Sequence, residues 1–171
     1  MDNKILVTYG TWAGSTGEVA EMIGYALRDG GAAVDVRPAK EVSDVSTYSA
    51  VVLGSGVHAG KLHPDAMALV KTHRDALSQM PVAYFVVCLA MKEDTEESRQ
   101  KVRGYLAAVR EAAPQVEPAD VGLFAGVMDF EKLPFLMRLL MKVMGSPEGD
   151  FRDREAIRDW ATGLRPALAD A

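Results

Sequence analysis

From Tyr9 to Thr16 the chain reads Tyr-Gly-Thr-Trp-Ala-Gly-Ser-Thr, directly after the apolar run Ile5-Leu6-Val7 and directly before a helix-patterned segment. Hydroxyls and glycines in that setting can hold an anion. The first amides of a helix lack intrahelical acceptors and sit at the positive end of its dipole, so a phosphate finds donors there without Lys or Arg. Thr11, Ser15 and Thr16 add side-chain hydroxyls, while Gly10 and Gly14 admit positive φ and let backbone amides approach a ligand closely.

Such a loop needs a strand before it and a helix after it, and the rest of the chain repeats that unit. Ile5-Leu6-Val7, Ala50-Val51-Val52-Leu53 and Val82 to Val87 lack polar alternation, as strands covered on both faces of a parallel sheet do. Val34-Asp35-Val36 reads as an edge strand and Val121 to Val127 as the last one. Val19, Met22, Ile23, Ala26 and Leu27 recur at helical spacing and stop at Gly30-Gly31. Pro64 suits a helix start, with Met67, Val70 and Leu77 inward, and Val102, Tyr105, Leu106 and Val109 repeat the pattern. This alternation predicts an α/β doubly wound sheet, in which ligands bind beyond the carboxyl ends of the strands.

Two helical segments follow the last strand. Leu133 to Met144 spreads its apolar residues over more than the ~100° arc that one core contact requires. Phe135 there lies among the cations Arg138 and Lys142, a pattern suited to an anionic membrane surface, a partner groove or a dimer contact. The closing helix, near Asp159 to Ala169, places Trp160, Leu164 and Leu168 on one stripe against the sheet.

A chain of 171 residues suits a single domain over 1–171. Its net charge of −5, with Lys and Arg scattered, argues against a nucleic-acid partner. Cys88 is the only cysteine, which excludes an internal disulfide and a cysteine metal cluster and fits a reducing cytoplasm. No signal-peptide pattern opens the chain and no apolar run nears the ~20 residues of a membrane span, so the expected location is cytoplasmic, or peripheral at the inner face of a membrane.

The glycine spacing at 10, 14 and 17 is not that of a dinucleotide turn, and Val36 is followed by Arg37-Pro38 rather than an acidic residue. There is no Gly-Lys-Ser/Thr triplet either. These exclusions leave a mononucleotide with one terminal phosphate.

Thr11-Trp12-Ala13-Gly14-Ser15-Thr16 resembles the T-x-T-G-x-T phosphate loop of flavodoxins, with Ala13 where a hydroxyl is usual. Longer stretches resemble the flavodoxin-like, menaquinone-dependent protoporphyrinogen oxidases. They are Gly14-x-Thr16-x-Glu18-Val19-Ala20, Tyr48 with Ala50 to His63, Met80-Pro81 with Ala83 to Leu89, and Leu136 to Gly145 followed by Asp159-Trp160. The resemblance implies a flavodoxin-like five-stranded parallel sheet of order 2-1-3-4-5, helices on both faces, and one extra helix after the last strand. It also implies FMN as cofactor, with Thr11, Trp12, Ala13, Gly14, Ser15 and Thr16 at the phosphate. Ser55, Gly56, Val57, His58, Ala59 and Gly60, and Cys88, Leu89, Ala90 and Met91, are then expected beside the isoalloxazine.

Within that frame His58 is placed to stack on or bond to the ring edge, or else is a solvated loop histidine. Trp12 covers the flavin or packs against the first helix. Cys88 closes an apolar strand and is expected to be a packing residue rather than a nucleophile. No residue set for nucleophilic, paired-carboxylate or metal chemistry is recognisable, so the chemistry falls to the flavin. The implied activity is transfer of electrons from a reduced substrate, protoporphyrinogen, through FMN to a quinone. The alternative is an electron carrier without a small-molecule substrate that docks on redox proteins. The segment Met128 to Lys132, five residues where some of these oxidases carry a long insertion, favours the carrier.

Overall fold

Strand β1 (Lys4–Gly10) lies inside a parallel sheet, paired on one side with β2 (Ala33–Pro38) and on the other with β3 (Ala50–His58). Beyond β3 come β4 (Val82–Val87) and β5 (Val121–Phe124), so the order is β2-β1-β3-β4-β5, as expected. The structure, a computed structural model, describes residues 3–169. A two-residue strand, Lys61–Leu62, folds back antiparallel on the end of β3.

Because side chains alternate across a strand, each central strand feeds two cores. Ile5, Val7, Ala50, Val52, Ala83, Phe85 and Val87 point to one face. There α1 (Ser15–Asp29) and α6 (Arg154–Ala169) contribute Val19, Ile23, Leu27, Ile157, Leu164 and Leu168. Leu6, Val51, Leu53, Val82, Tyr84 and Val86 point to the other. There α2 (Pro64–Leu77), α3 (Glu96–Tyr105) and α4 (Ala107–Ala112) bring Leu69, Val70, Leu77, Val102 and Val109. Leu106, buried in the same core, is the joint at which the expected continuous helix divides into α3 and α4. Gly54 has no side chain for a packing reason: a Cβ there would meet the Phe85 ring at 1.9 Å.

The end of the chain departs from expectation. Strand β5 stops at Phe124, whose carbonyl accepts from the Cys88 amide at 2.9 Å, instead of running on to Val127. The chain then leaves the sheet, and Val127–Met128 pairs antiparallel with Gly149–Asp150 to form a short ribbon. Between the arms of this ribbon sit a 3₁₀ turn, Phe130–Lys132, and α5 (Phe135–Val143). Helix α5 starts later than Leu133 because Pro134 follows that residue, and the residue before a proline is driven to extended backbone. Leu133 duly sits at φ −95, ψ 148. At the other end Gly145, at φ +67, turns the chain: its amide bonds the Lys142 carbonyl at 3.2 Å and Ser146 bonds Met141 at 3.0 Å, a Schellman stop. Helix α6 begins at Arg154, a turn earlier than its apolar stripe suggests, with Trp160 edge-on to the Phe124 and Phe85 rings.

Candidate FMN site

The carboxyl ends of β1, β3, β4 and β5 converge on a cleft of ≈ 310 Å³. Its floor is the start of α1. Gly14 takes the N-cap position at φ 93, a conformation suited to glycine, and no side chain caps the helix. The first intrahelical bond is from Glu18 N–H to the Gly14 carbonyl at 3.1 Å. The amides of Ser15, Thr16 and Gly17 precede it and are free to bond an anion.

Each sequence-predicted residue has a definite place. Trp12, Ala13, Ser15, Thr16, Gly56, Val57, His58, Cys88 and Leu89 line the cleft. Thr11 braces the loop from within, its Oγ1 accepting from Gly14 N–H at 2.9 Å. Ser55 is buried and turned away: its hydroxyl donates to the Gly56 carbonyl at 2.7 Å and accepts from the His63 amide at 2.8 Å. Ala59 and Gly60, with φ 50 and 74, are the two central residues of the hairpin that joins β3 to Lys61–Leu62. Positive φ at both positions marks a type I′ turn. Ala90 and Met91 lie in a 3₁₀ turn, Leu89–Lys92, with Met91 buried in the core.

The walls are aromatic and apolar. Trp12, 49% exposed, has its ring centroid 5.4 Å from that of His58 and 4.5 Å from that of His63. His63 caps α2 ahead of Pro64, its Nδ1 accepting from Asp65 N–H at 3.1 Å. Gly56 is a close-approach position: a Cβ there would lie 3.1 Å from Thr16 Oγ1 and 3.5 Å from the Trp12 ring. Burial pushes the Cys88 thiol pKa up, which suits a packing residue.

Two cations next to the ribbon reach the phosphate loop and the first turn of α1, and no local pattern in the sequence announces them. Lys132 Nζ donates to the Ala13 carbonyl at 3.3 Å. Arg152, its side chain only 7% exposed, lines the cleft and is ion-paired with Glu18 in the first turn of α1 and with Asp150 at 2.7 Å. Those two bonds raise the guanidinium pKa, and Arg152 in turn holds the Asp150 carboxyl at about 2. The only available signal is compositional, basic residues flanking an excursion between the last strand and the last helix.

The arrangement is a helix-start anion site joined to an aromatic-walled slot at the carboxyl edge of a parallel sheet. The flavodoxin-domain family model matches residues 6–155, and the chain belongs to that family. FMN is the cofactor, and the residues present fit it: uncapped amides for the phosphate, a side-chain-free approach at Gly56, and aromatic and apolar walls for the ring. Among curated relatives, the protoporphyrinogen IX dehydrogenase [quinone] of Escherichia coli (strain K12) is 26% identical over 166 residues, covering 92% of this chain and 88% of that protein. The protein of the same name from Leishmania major is 28% identical over 177 residues, covering 95% of this chain and 72% of its own length. The fold is also that of Streptococcus pneumoniae TIGR4 flavodoxin, with a TM-score of 0.57 at 15% identity and 97% of each chain covered.

Proposed function

We propose that this protein is an FMN-dependent oxidoreductase that takes electrons from a reduced organic substrate, protoporphyrinogen, and delivers them to a quinone. The observation that carries this reading is the cleft itself, built on a chain aligned over 92% of its length with a protein named for that reaction. When bound, FMN supplies the redox chemistry, accepting hydride or electrons from one partner and releasing them to another.

The chain's own residues bind, orient and shield. The amides of Ser15, Thr16 and Gly17 hold the phosphate, helped by the hydroxyls of Ser15 and Thr16. Lys132 adds a positive charge beside the loop where Ala13 offers no hydroxyl. Val57, His58, Cys88 and Leu89 would hold the ring system, with Trp12 closing the side formed by the first loop. The apolar members keep water from the ring and strengthen the field of the helix end.

A second reading, an FMN electron carrier docking on redox proteins, is favoured by the short connection Met128 to Lys132. Anaerobic mixing of the FMN form with protoporphyrinogen separates the two. Bleaching of the flavin absorbance, followed by recovery on adding menaquinone, is the expected result. No bleaching, with reduction by a flavoprotein reductase instead, assigns the carrier role.

A further inference from the structure

Helix α5 has no buried residue. Its successive turns place Phe135, Leu139, Val143, Leu136 and Leu140 on one continuous arc of about 140° at 3.6 residues per turn. That arc faces outward: Phe135 is 73% exposed, Leu136 77% and Val143 78%. Lys142 and Arg138 border one edge of it. Arg138 is held in place by the helix's own approach, its Nε donating to the Phe130 carbonyl at 2.9 Å and its guanidinium reaching the Glu131 carbonyl at 3.2 Å. From Lys132 to Pro147 the chain carries the cations Lys132, Arg138 and Lys142 and no carboxylate, within a protein of net charge −5. None of the three forms an ion pair among the described residues.

We propose that α5 docks this protein on an anionic lipid bilayer, its apolar arc sunk into the interface and its cations at the headgroups. Charge selects this occupant. A second copy packed arc against arc would bring two cationic borders together, whereas an anionic leaflet attracts the one. Area selects it too. A nine-residue helix is about 13 Å long and presents five outward apolar side chains, far fewer than the ~20–30 residues a side of a stable protein interface. A bilayer sets no such minimum, because binding scales with whatever apolar surface is inserted.

The position of the helix connects docking to the cleft. Lys132 and Leu133, the residues just before α5, line the cleft wall. A docked α5 therefore sets the mouth of the cleft beside the phase in which a quinone dissolves; this link alone rests on the proposed quinone reaction.

Vesicle flotation of the FMN-loaded protein tests the surface. Binding is expected to vesicles of phosphatidylglycerol and phosphatidylcholine, to weaken with salt, and to be much lower on phosphatidylcholine alone. Phe135→Ser with Leu139→Ser should reduce it tenfold or more, and the single change Lys142→Gln about fivefold. Retained FMN binding checks that the double variant is folded, and Lys142→Gln, at an exposed side chain, keeps the test open if it is not. Flotation that is absent, or unchanged in both variants, overturns the proposal. A dimer seen by light scattering and lost in the double variant, without vesicle binding, overturns it in favour of a second copy. Flotation is read without substrate, so failure of protoporphyrinogen to bleach the flavin removes the oxidase reading alone.

Discussion

Lys132 Nζ donates to the backbone carbonyl of Ala13 at 3.3 Å, a contact between residues 119 positions apart. It stitches the ribbon after β5 onto the phosphate loop after β1, at the one loop position where a hydroxyl is replaced by a methyl group. Both features would act on the charge of a phosphate bound at this loop. A dianion there would meet helix amides and one nearby ammonium, with one side-chain bond fewer than the loop pattern offers.

The first expectation concerns phosphate recognition. Lys132→Met should weaken FMN binding by ~0.5 kcal/mol, the scale of a solvent-exposed charge contact, and leave riboflavin binding unchanged. Ala13→Thr should strengthen FMN binding by ~1 kcal/mol through one added hydrogen bond. Fluorescence titration with both flavins measures each. An equal effect of Lys132→Met on riboflavin would show that the lysine acts on the loop's shape and not on the phosphate.

Cys88 lines the cleft with its thiol pKa raised by burial. Alkylation by iodoacetamide near pH 8 should therefore run at least several-fold slower than for a free thiol, and FMN should slow it further by covering the site. Mass spectrometry of timed samples, with and without FMN, gives both rates. Identical rates with and without the flavin would place the ring elsewhere.

The Tyr84 hydroxyl is buried with no hydrogen-bond partner among the described residues, and burial pushes its pKa up to about 12. An unpaired buried hydroxyl costs about 1–3 kcal/mol, so Tyr84→Phe should not destabilise the protein and should raise its melting temperature by about 2–4 °C per kcal/mol recovered. A thermal melt decides it, and a lowered melting temperature would mean that the hydroxyl has a role in the native state.

Asp150 titrates at about 2 in the folded protein because Arg152 bonds its carboxylate. An unfolded carboxyl titrates near ~3.9, so the pair's contribution is complete above about pH 4 and disappears as pH falls through about 2. Asp150 is half-exposed, so that contribution is under about 1 kcal/mol. Asp150→Asn should melt slightly below wild type at pH 6, with the gap closing toward pH 2. A gap constant across that window would show that the pair carries no pH-linked stability.

Sequence pattern made the scaffold legible where burial on both faces forces it. Val82 to Val87 reads as a strand because every side chain on a covered parallel strand must be apolar, and Gly30-Gly31 stops α1 because few other residues turn a chain out of a helix so readily. Pairing order is less local: the repeated strand–helix unit points only to a doubly wound sheet, and the motif resemblance implies the order within it. The end of β5 was not legible. Ala125, Gly126 and Val127 are as apolar as a strand, and they leave the sheet for the ribbon with Gly149–Asp150 and the bond from Phe151 N–H to the Gly126 carbonyl at 3.1 Å. The engagement of the Ser55 hydroxyl is not local either, because its partners are the Gly56 carbonyl and the His63 amide, the latter eight residues on.

What the sequence alone determined is therefore the strands of the sheet and the open helix start at Gly14 to Thr16, consequences of short-range periodicity and turn chemistry, while the strand order and the cofactor class follow from the family resemblance those residues carry. Tertiary structure alone decided that Lys132 and Arg152 arrive at that helix start and that α5 keeps its apolar arc in solvent. Both depend on where a ribbon returns after more than a hundred residues, and no local interaction encodes that distance.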